Sequence, residues 1–65
     1  MNMTIKFQVA TDSEGAYRAA DRIGGLLLEQ NEKWTILDGG YIAITLPAIR
    51  ASEFCAELVR EGFVD

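Results

Sequence analysis

Apolar residues follow two different spacings along the chain, and each change of spacing marks a predicted element. From Thr4 to Val9 apolar and polar residues alternate strictly, which predicts a strand with one buried face. The residues of that face are Ile5, Phe7 and Val9. Two stretches with helical spacing and two more short apolar runs follow, so the predicted order is strand, helix, strand, strand, helix.

The first predicted helix begins at Thr11-Asp12-Ser13-Glu14 and runs to about Gln30. Thr11 and Glu14 have the spacing of a capping box, in which each side chain bonds the backbone N–H of the other residue. Glu14 and Arg18 have the spacing and order of a stabilising ion pair. The apolar stripe of this helix contains Ala16, Ala20, Ile23 and Leu27, with Ala19 and Leu26 beside it.

Two adjacent glycines, Gly24-Gly25, lie inside this helix. Each glycine destabilises a helix by about 1 kcal/mol relative to alanine. We interpret the pair as a close approach of helix to sheet or as an early helix end at Gly24. A flexible joint or a binding contact is the functional alternative. We expect one of the three leucines that follow to face solvent or a partner, and Asn31 and Glu32 to turn the chain into the next strand.

A β-hairpin is predicted from Lys33 to Pro47, where Asp38-Gly39-Gly40 separates two apolar runs. A two-residue loop in either position would place Ile42 and Ile44 on the face of Lys33 and Thr35. A three-residue loop instead gives one apolar face, and Gly40 suits the left-handed position of such a loop. That face contains Trp34, Ile36, Ile42, Ile44 and Leu46. The opposite face contains Lys33, Thr35, Leu37, Tyr41, Ala43 and Thr45.

The second predicted helix has Pro47 in its first turn, where the missing N–H of proline is not needed. Gly62 has the position of a glycine just beyond the helix end, and Phe63 can then pack back on Leu58, as in a Schellman motif. The apolar stripe of this helix contains Ile49, Ala51, Phe54, Cys55, Leu58 and Val59.

These elements predict a single α+β domain over residues 1–65, a compact β-α-β-β-α sandwich. The strand from Tyr41 to Leu46 has no charge, whereas the other two contain Lys6 and Lys33, and edge strands often contain lysine. We therefore expect a three-stranded antiparallel sheet in the order 1-3-2, with both helices on one face. The layout, with its TDSEG helix start and LVREGF helix end, resembles a ferredoxin-like fold that lacks the last strand.

Composition narrows the function classes. The chain has 65 residues, a net charge of −4, one cysteine and no histidine. The charge argues against direct binding of nucleic acid or anionic membranes and favours a basic protein partner. Zinc sites and histidine-based triads are excluded, no intrachain disulfide can form, and no cofactor motif or apolar run of membrane-spanning length is present. We therefore expect a cytoplasmic protein without a cofactor.

The residues that could take part in catalysis or in binding a ligand all have structural interpretations. Cys55 lies on the predicted apolar stripe with no basic neighbour, so we predict a core cysteine rather than a nucleophile. Asp38-Gly39-Gly40 joins two strands, whereas phosphate-binding loops lead from a strand into a helix, so a turn is predicted. Asp12 and Glu14 are explained by the helix cap. The sequence therefore predicts a protein that is not an enzyme.

Two surfaces remain as candidate binding sites. One is the open sheet face around Tyr41 and Leu37, which is either a dimer or partner surface or an ordinary solvated face. The other is a row of glutamates with helical spacing on the second helix, flanked by Arg50 and Arg60. It is either a solvated helix face or a binding stripe, and successive carboxylates would lie about 6 Å apart along the axis. The row contains Glu53, Glu57 and Glu61, with Asp65 beyond it.

Small size, acidic charge and an acidic helix make the chain similar to small phage-encoded anti-CRISPR proteins, which block the DNA-binding surface of a CRISPR effector. The resemblance implies an inhibitor of a type I effector in the cytoplasm of a bacterial host. It implicates Glu53, Glu57, Glu61 and Asp65 in binding a basic, nucleic-acid-handling partner. The expected form is a monomer or weak homodimer, and the alternative is a small self-associating regulatory or assembly module that uses the open sheet face.

Overall fold

The computed structural model describes residues 1–29 and 32–64. Its elements, in chain order, are β1 (Asn2–Gln8), α1 (Ser13–Leu26), β2 (Lys33–Leu37), β3 (Tyr41–Pro47) and α2 (Ala51–Arg60), with 3-10 turns at Asp38–Gly40 and Ala48–Arg50. The three strands form an antiparallel sheet in the order β1-β3-β2, which confirms the predicted fold. Over the described ranges, none of the helices is both long and apolar enough to cross a membrane.

The three-residue loop and the register of the hairpin are confirmed. Ile36 pairs with Ile42 and Trp34 with Ile44, so one face of the hairpin is apolar. Gly39 and Gly40 both have a positive φ, 78° and 83°. The Gly40 carbonyl also accepts from the N–H groups of Val9 and Ala10, so the turn joins the end of β1 as well as the two strands of the hairpin.

The start of α1 differs from the prediction by one residue. Asp12, not Thr11, is the N-cap, and its carboxylate accepts a hydrogen bond from the Gly15 N–H at 2.8 Å. Both residue types cap well, but the ionised acceptor of Asp12 interacts more favourably with the positive helix end. The predicted Glu14–Arg18 ion pair is present.

The end of α1 comes earlier than predicted, because the helix stops at Leu26. A Cβ on Gly24 would lie 3.5 Å from the Trp34 ring nitrogen, which confirms that the helix approaches the sheet closely there. Gly25 has open space on its Cβ side. Leu26 is 60% exposed, as expected for one of the three leucines. The predicted end at Gln30 and the turn residue Asn31 lie outside the described residues.

The start of α2 also differs, whereas its end is as predicted. Pro47 is the last residue of β3, and a 3-10 turn separates it from Ala51, the first residue of α2. Gly62 has φ 82°. The N–H groups of Gly62 and Phe63 bond the carbonyls of Val59 and Leu58, which confirms the Schellman motif.

Both helices pack on the same face of the sheet. The Tyr17 and Trp34 rings meet edge to face with centroids 6.0 Å apart, so α1 lies over β2. The Phe7 and Phe54 centroids are 6.5 Å apart, so α2 lies over β1. The buried apolar core consists of Ala16, Ala20, Ile23, Ile42, Ile44, Leu46, Phe54 and Leu58.

The prediction that Cys55 is a core cysteine is wrong, because its side chain is exposed. The predicted stripe also contains Ile49 and Val59, which are 94% and 53% exposed. Only Phe54 and Leu58 of α2 are buried. The two helices form a single layer, in which one flank of α2 faces α1. Among the described residues, no element packs against the other flank. The buried stripe is therefore narrower than the apolar pattern suggested.

Candidate protein-binding surfaces

An arginine at the start of α2 organises the charged side of the molecule. The Nε and Nη2 atoms of Arg50 donate to the two carboxylate oxygens of Glu32 at 2.7 and 2.9 Å. Nη2 also donates to the Leu27 carbonyl at the end of α1, at 2.8 Å. The fork of the guanidinium matches a carboxylate in this two-bond arrangement. Arg50 therefore connects the end of α1, the residue before β2 and the start of α2.

The Glu32–Arg50 pair is largely buried. The side chains of Glu32 and Arg50 are 2% and 14% exposed. The hydrogen bond from Arg50 holds the pKa of Glu32 below its ordinary value, and the Glu29 N–H, which donates at 2.9 Å, acts in the same direction against the opposing effect of burial. The bond to Glu32 likewise raises the pKa of Arg50. Among the described residues, every buried side-chain nitrogen and oxygen has a hydrogen-bond partner.

The predicted glutamate row is arranged around the same guanidinium. Nη1 of Arg50 lies 3.1 Å from Glu53 and 3.4 Å from Glu57. Glu57 has only 18% of its side chain exposed and also lies 3.9 Å from Arg60, whereas Glu53 is 68% exposed. Glu61 lies beyond the helix end as its exposed C-cap. The predicted fourth acid, Asp65, lies outside the described residues.

Sequence reasoning recognised Arg50 only as a neighbour of the glutamate row. Its spacings to Glu53 and Glu57, three and seven residues, are those of side chains on one helix face, and this signal was available. Its main partner, Glu32, is 18 residues away on another element. No local pattern indicates that contact, because it depends on how the two helices pack.

The open sheet face has the opposite charge. None of the three strands contains Asp or Glu, and both lysines of the chain, Lys6 and Lys33, lie on this face. The hydroxyls of Thr4 and Thr45 are 3.0 Å apart across it, and Tyr41 is 38% exposed next to its strand partner Leu37. Among the described residues, the carboxylates are thus confined to the helices and connecting segments.

Within the described ranges, no group of three or more cysteine and carboxylate side chains is placed to hold a metal ion. Comparisons with protein-family models, with curated proteins and with solved structures gave no match.

Proposed function

We propose that the chain is a non-catalytic protein inhibitor that binds a basic, nucleic-acid-handling protein through the exposed acids of α2. In its most specific form, the partner is a subunit of a type I CRISPR effector, and the bound chain prevents target DNA from reaching the basic surface. The observation that supports this proposal most directly is the segregation of charge, with no carboxylate in any strand and a net charge of −4.

Segregated charge favours a protein partner for a physical reason. Complementary surface potentials accelerate encounter and determine orientation, even where they add little affinity. A basic groove that has evolved to hold phosphates attracts a compact acidic domain in the same way as it attracts DNA. The helix layer, which contains the acidic segments, is the side that would face such a groove.

The contacts of Arg50 determine which acids are suited to this role. Glu57 already faces Arg50 and is mostly covered, so its carboxylate contributes to the packing of α2. Glu53 and Glu61 are exposed and remain able to meet a partner. The proposed contact set is therefore centred on Glu53 and Glu61, with Glu57 in a supporting position and Asp65 included on sequence grounds.

A charge-reversed variant tests the proposal. Glu53→Lys combined with Glu61→Lys reverses two exposed charges. It removes the contact of Glu53 with Nη1 of Arg50 but neither hydrogen bond between Arg50 and Glu32. Asp21→Lys combined with Asp38→Lys is the matched control, because it makes the same change in net charge at exposed positions outside α2 and outside the Arg50 cluster. The assay measures binding of duplex target DNA by a purified, guide-loaded type I effector in the presence of each variant.

The parent chain is expected to inhibit DNA binding, the α2 variant to lose inhibition at least about tenfold, and the control to retain most of it. Inhibition should also weaken as salt is added, because exposed charges are screened. Equal losses in the two double variants would contradict the α2 assignment. Absence of inhibition by the parent chain across type I effectors would contradict the effector itself as partner.

A second candidate function is a self-associating regulatory or assembly module that uses the open sheet face. The adjacent pair Leu37 and Tyr41 supports it, since it forms an apolar spot on an otherwise polar face. The two lysines act against it, because a dimer through this face brings four cations together without a carboxylate from any strand. Sedimentation of Tyr41→Ser beside the parent chain tests this surface, and an unchanged association state would exclude it.

A further inference from the structure

Along the outer edge of β1, no described element pairs with the backbone N–H and C=O groups. The N–H of Val9 bonds the Gly40 carbonyl, and the N–H of Ala48 bonds the Met1 carbonyl, at the two ends of the β1–β3 ladder. Bonding to the neighbour alternates along an antiparallel strand, so the odd-numbered residues of β1 bond β3. The N–H and C=O groups of Asn2, Thr4, Lys6 and Gln8 therefore point to the free edge.

Apolar side chains flank this edge on the helix side. Arg50, Glu53 and Glu57 interact on the flank of α2 that faces α1. Cys55 and Val59 each lie two residues from Glu57, about 200° around the helix, and are therefore on the flank that faces away from α1. Both are exposed, as is Met3 on the helix side of β1. The Ala48–Met1 bond places the 94% exposed Ile49 at the start of the same strand.

Charge is nearly absent from this surface. Lys6 is the only charged residue in β1, and its side chain lies on the open face, away from α2. An unprotected edge strand is a template for a further strand, and proteins usually block such edges with charges, proline or a bulge. β1 has no proline and pairs with β3 in unbroken register. A partner that suits this surface would itself have an unpaired strand edge with exposed apolar side chains beside it.

We propose that a second copy of this chain covers the β1 edge, so that two β1 strands pair antiparallel about a twofold axis and the two sheets form one of six strands. The sequence of β1 is self-complementary in this arrangement. With Ile5 on the axis, Thr4 of one copy lies opposite Lys6 of the other, and Asn2 lies opposite Gln8. The free backbone N–H and C=O groups of one β1 edge therefore face those of the other. The lysines do not face each other, and Met3 and Phe7 share the helix side.

The twofold axis also accounts for the apolar flank. It turns the flank of α2 that contains Cys55 and Val59 towards the same flank in the second copy. Two identical apolar surfaces then contact each other, as in an isologous interface. The described carboxylates of α2 lie on the opposite flank or beyond the helix end. One strand pair with a small flank is a modest interface, so the dimer is weak and forms with rising concentration.

Sedimentation equilibrium combined with amide hydrogen exchange tests the β1 dimer. The chain is measured over a wide range of concentration, up to about 1 mM, where weak association becomes populated. The expected result is a monomer–dimer equilibrium in which the Thr4 and Lys6 amides become protected as dimer accumulates. The Trp34 and Ile36 amides are the internal control, because by the same alternation they point to the free edge of β2.

Two variants locate the interface. Thr4→Pro removes an edge N–H without removing a backbone hydrogen bond to β3, at a position where a strand tolerates proline. Thr4→Ala removes only the hydroxyl contact with Thr45 and controls for its loss. Because both copies lose the bond, the dissociation constant should rise about tenfold to a hundredfold. Ile49→Asp should also weaken the dimer, whereas Leu26→Asp is the matched control at an exposed apolar position on α1. Retained protection of the Thr35 and Leu37 amides, which by the same alternation bond β3, confirms in each variant monomer that the fold is intact.

Three results would overturn the proposal. They are a monomer at every concentration, a dimer that protects Trp34 and Ile36 instead of Thr4 and Lys6, and a dimer that is insensitive to Thr4→Pro. Added salt separates this association from the proposed effector binding. Salt screens the mutual repulsion of two acidic chains and leaves the dimer unchanged or tighter, whereas it weakens an acidic surface bound to a basic one. Failure of either proposal therefore leaves the other testable.

Discussion

At the scale of single residues, the Glu32–Arg50 pair joins separate elements: the end of α1, the residue before β2 and the start of α2. Removing one member of a buried ion pair leaves the other charge uncompensated, which costs more than the pair itself contributes. Glu32→Gln retains the shape of the side chain but loses the negative charge that meets both Nε and Nη2 of Arg50. We expect the free energy of unfolding to fall by about 2 to 4 kcal/mol.

Urea denaturation followed by Trp34 fluorescence measures this change. Glu14→Gln is the control, because it removes one carboxylate from an i,i+4 pair whose members are both about three-quarters exposed. Such surface pairs contribute little, so its midpoint should stay near that of the parent chain. Equal shifts of the urea midpoint in the two variants would show that burial does not determine how much the Glu32–Arg50 pair contributes to stability.

The two glycines of the hairpin turn give a second prediction at this scale. Gly39 and Gly40 have almost the same positive φ, so alanine at either position carries a similar backbone cost of about 1 to 2 kcal/mol. A Cβ on Gly40 would also lie 2.0 Å from the Ala10 carbonyl oxygen, whereas the nearest atom to a Cβ on Gly39 is a Tyr41 ring carbon at 3.7 Å. Gly40→Ala should therefore destabilise the fold clearly more than Gly39→Ala.

Thermal unfolding of the two alanine variants measures the difference. The backbone cost is common to both variants. The additional loss of stability in Gly40→Ala therefore measures how tightly the turn packs against the end of β1. Equal melting temperatures would mean that Ala10 moves aside easily and that this junction is loose.

At the scale of elements, the accuracy of sequence reasoning depended on how far apart the determining residues lie. The hairpin register was predictable because Asp38-Gly39-Gly40 and the alternation on either side act within a few residues. The Schellman end of α2 is equally local. The N-cap lies one residue later than predicted because Thr11 and Asp12 are both competent caps, and the sequence pattern alone does not choose between them.

The less predictable features depend on the arrangement of the layers. The apolar spacing of α2 includes Cys55 and Val59, yet a helix at the edge of a two-helix layer buries only its sheet-facing stripe. The contact from Arg50 to Glu32 requires the end of α1 and the start of α2 to lie together. Of the candidate acids, Glu53 and Glu61 were placed on the surface correctly, and Glu57 was not recognised as a partner of Arg50.

At the scale of the whole molecule, the buried pair predicts how stability depends on pH. The pKa of Glu32 is lowered in the folded chain from an ordinary value of 4.5. Its contribution is therefore complete above about pH 4.5 and is lost as the pH falls through the folded pKa, because the unfolded chain then binds the proton more readily. The parent chain should lose stability below this pH, because Arg50, a largely buried charge, then loses the carboxylate that accepts two of its hydrogen bonds.

The difference between the parent chain and Glu32→Gln isolates this effect from the general acid response. Both chains gain positive charge as their other carboxylates are protonated, so both become less stable in acid. Only the parent chain also loses the Glu32–Arg50 pair. The amount by which the parent chain is more stable than Glu32→Gln should therefore be constant near neutral pH and shrink below about pH 4.5. Urea midpoints of the two chains from pH 3 to pH 7 measure this difference. A difference that stays constant over the whole range would show that ionised Glu32 does not account for the stability contributed by the pair.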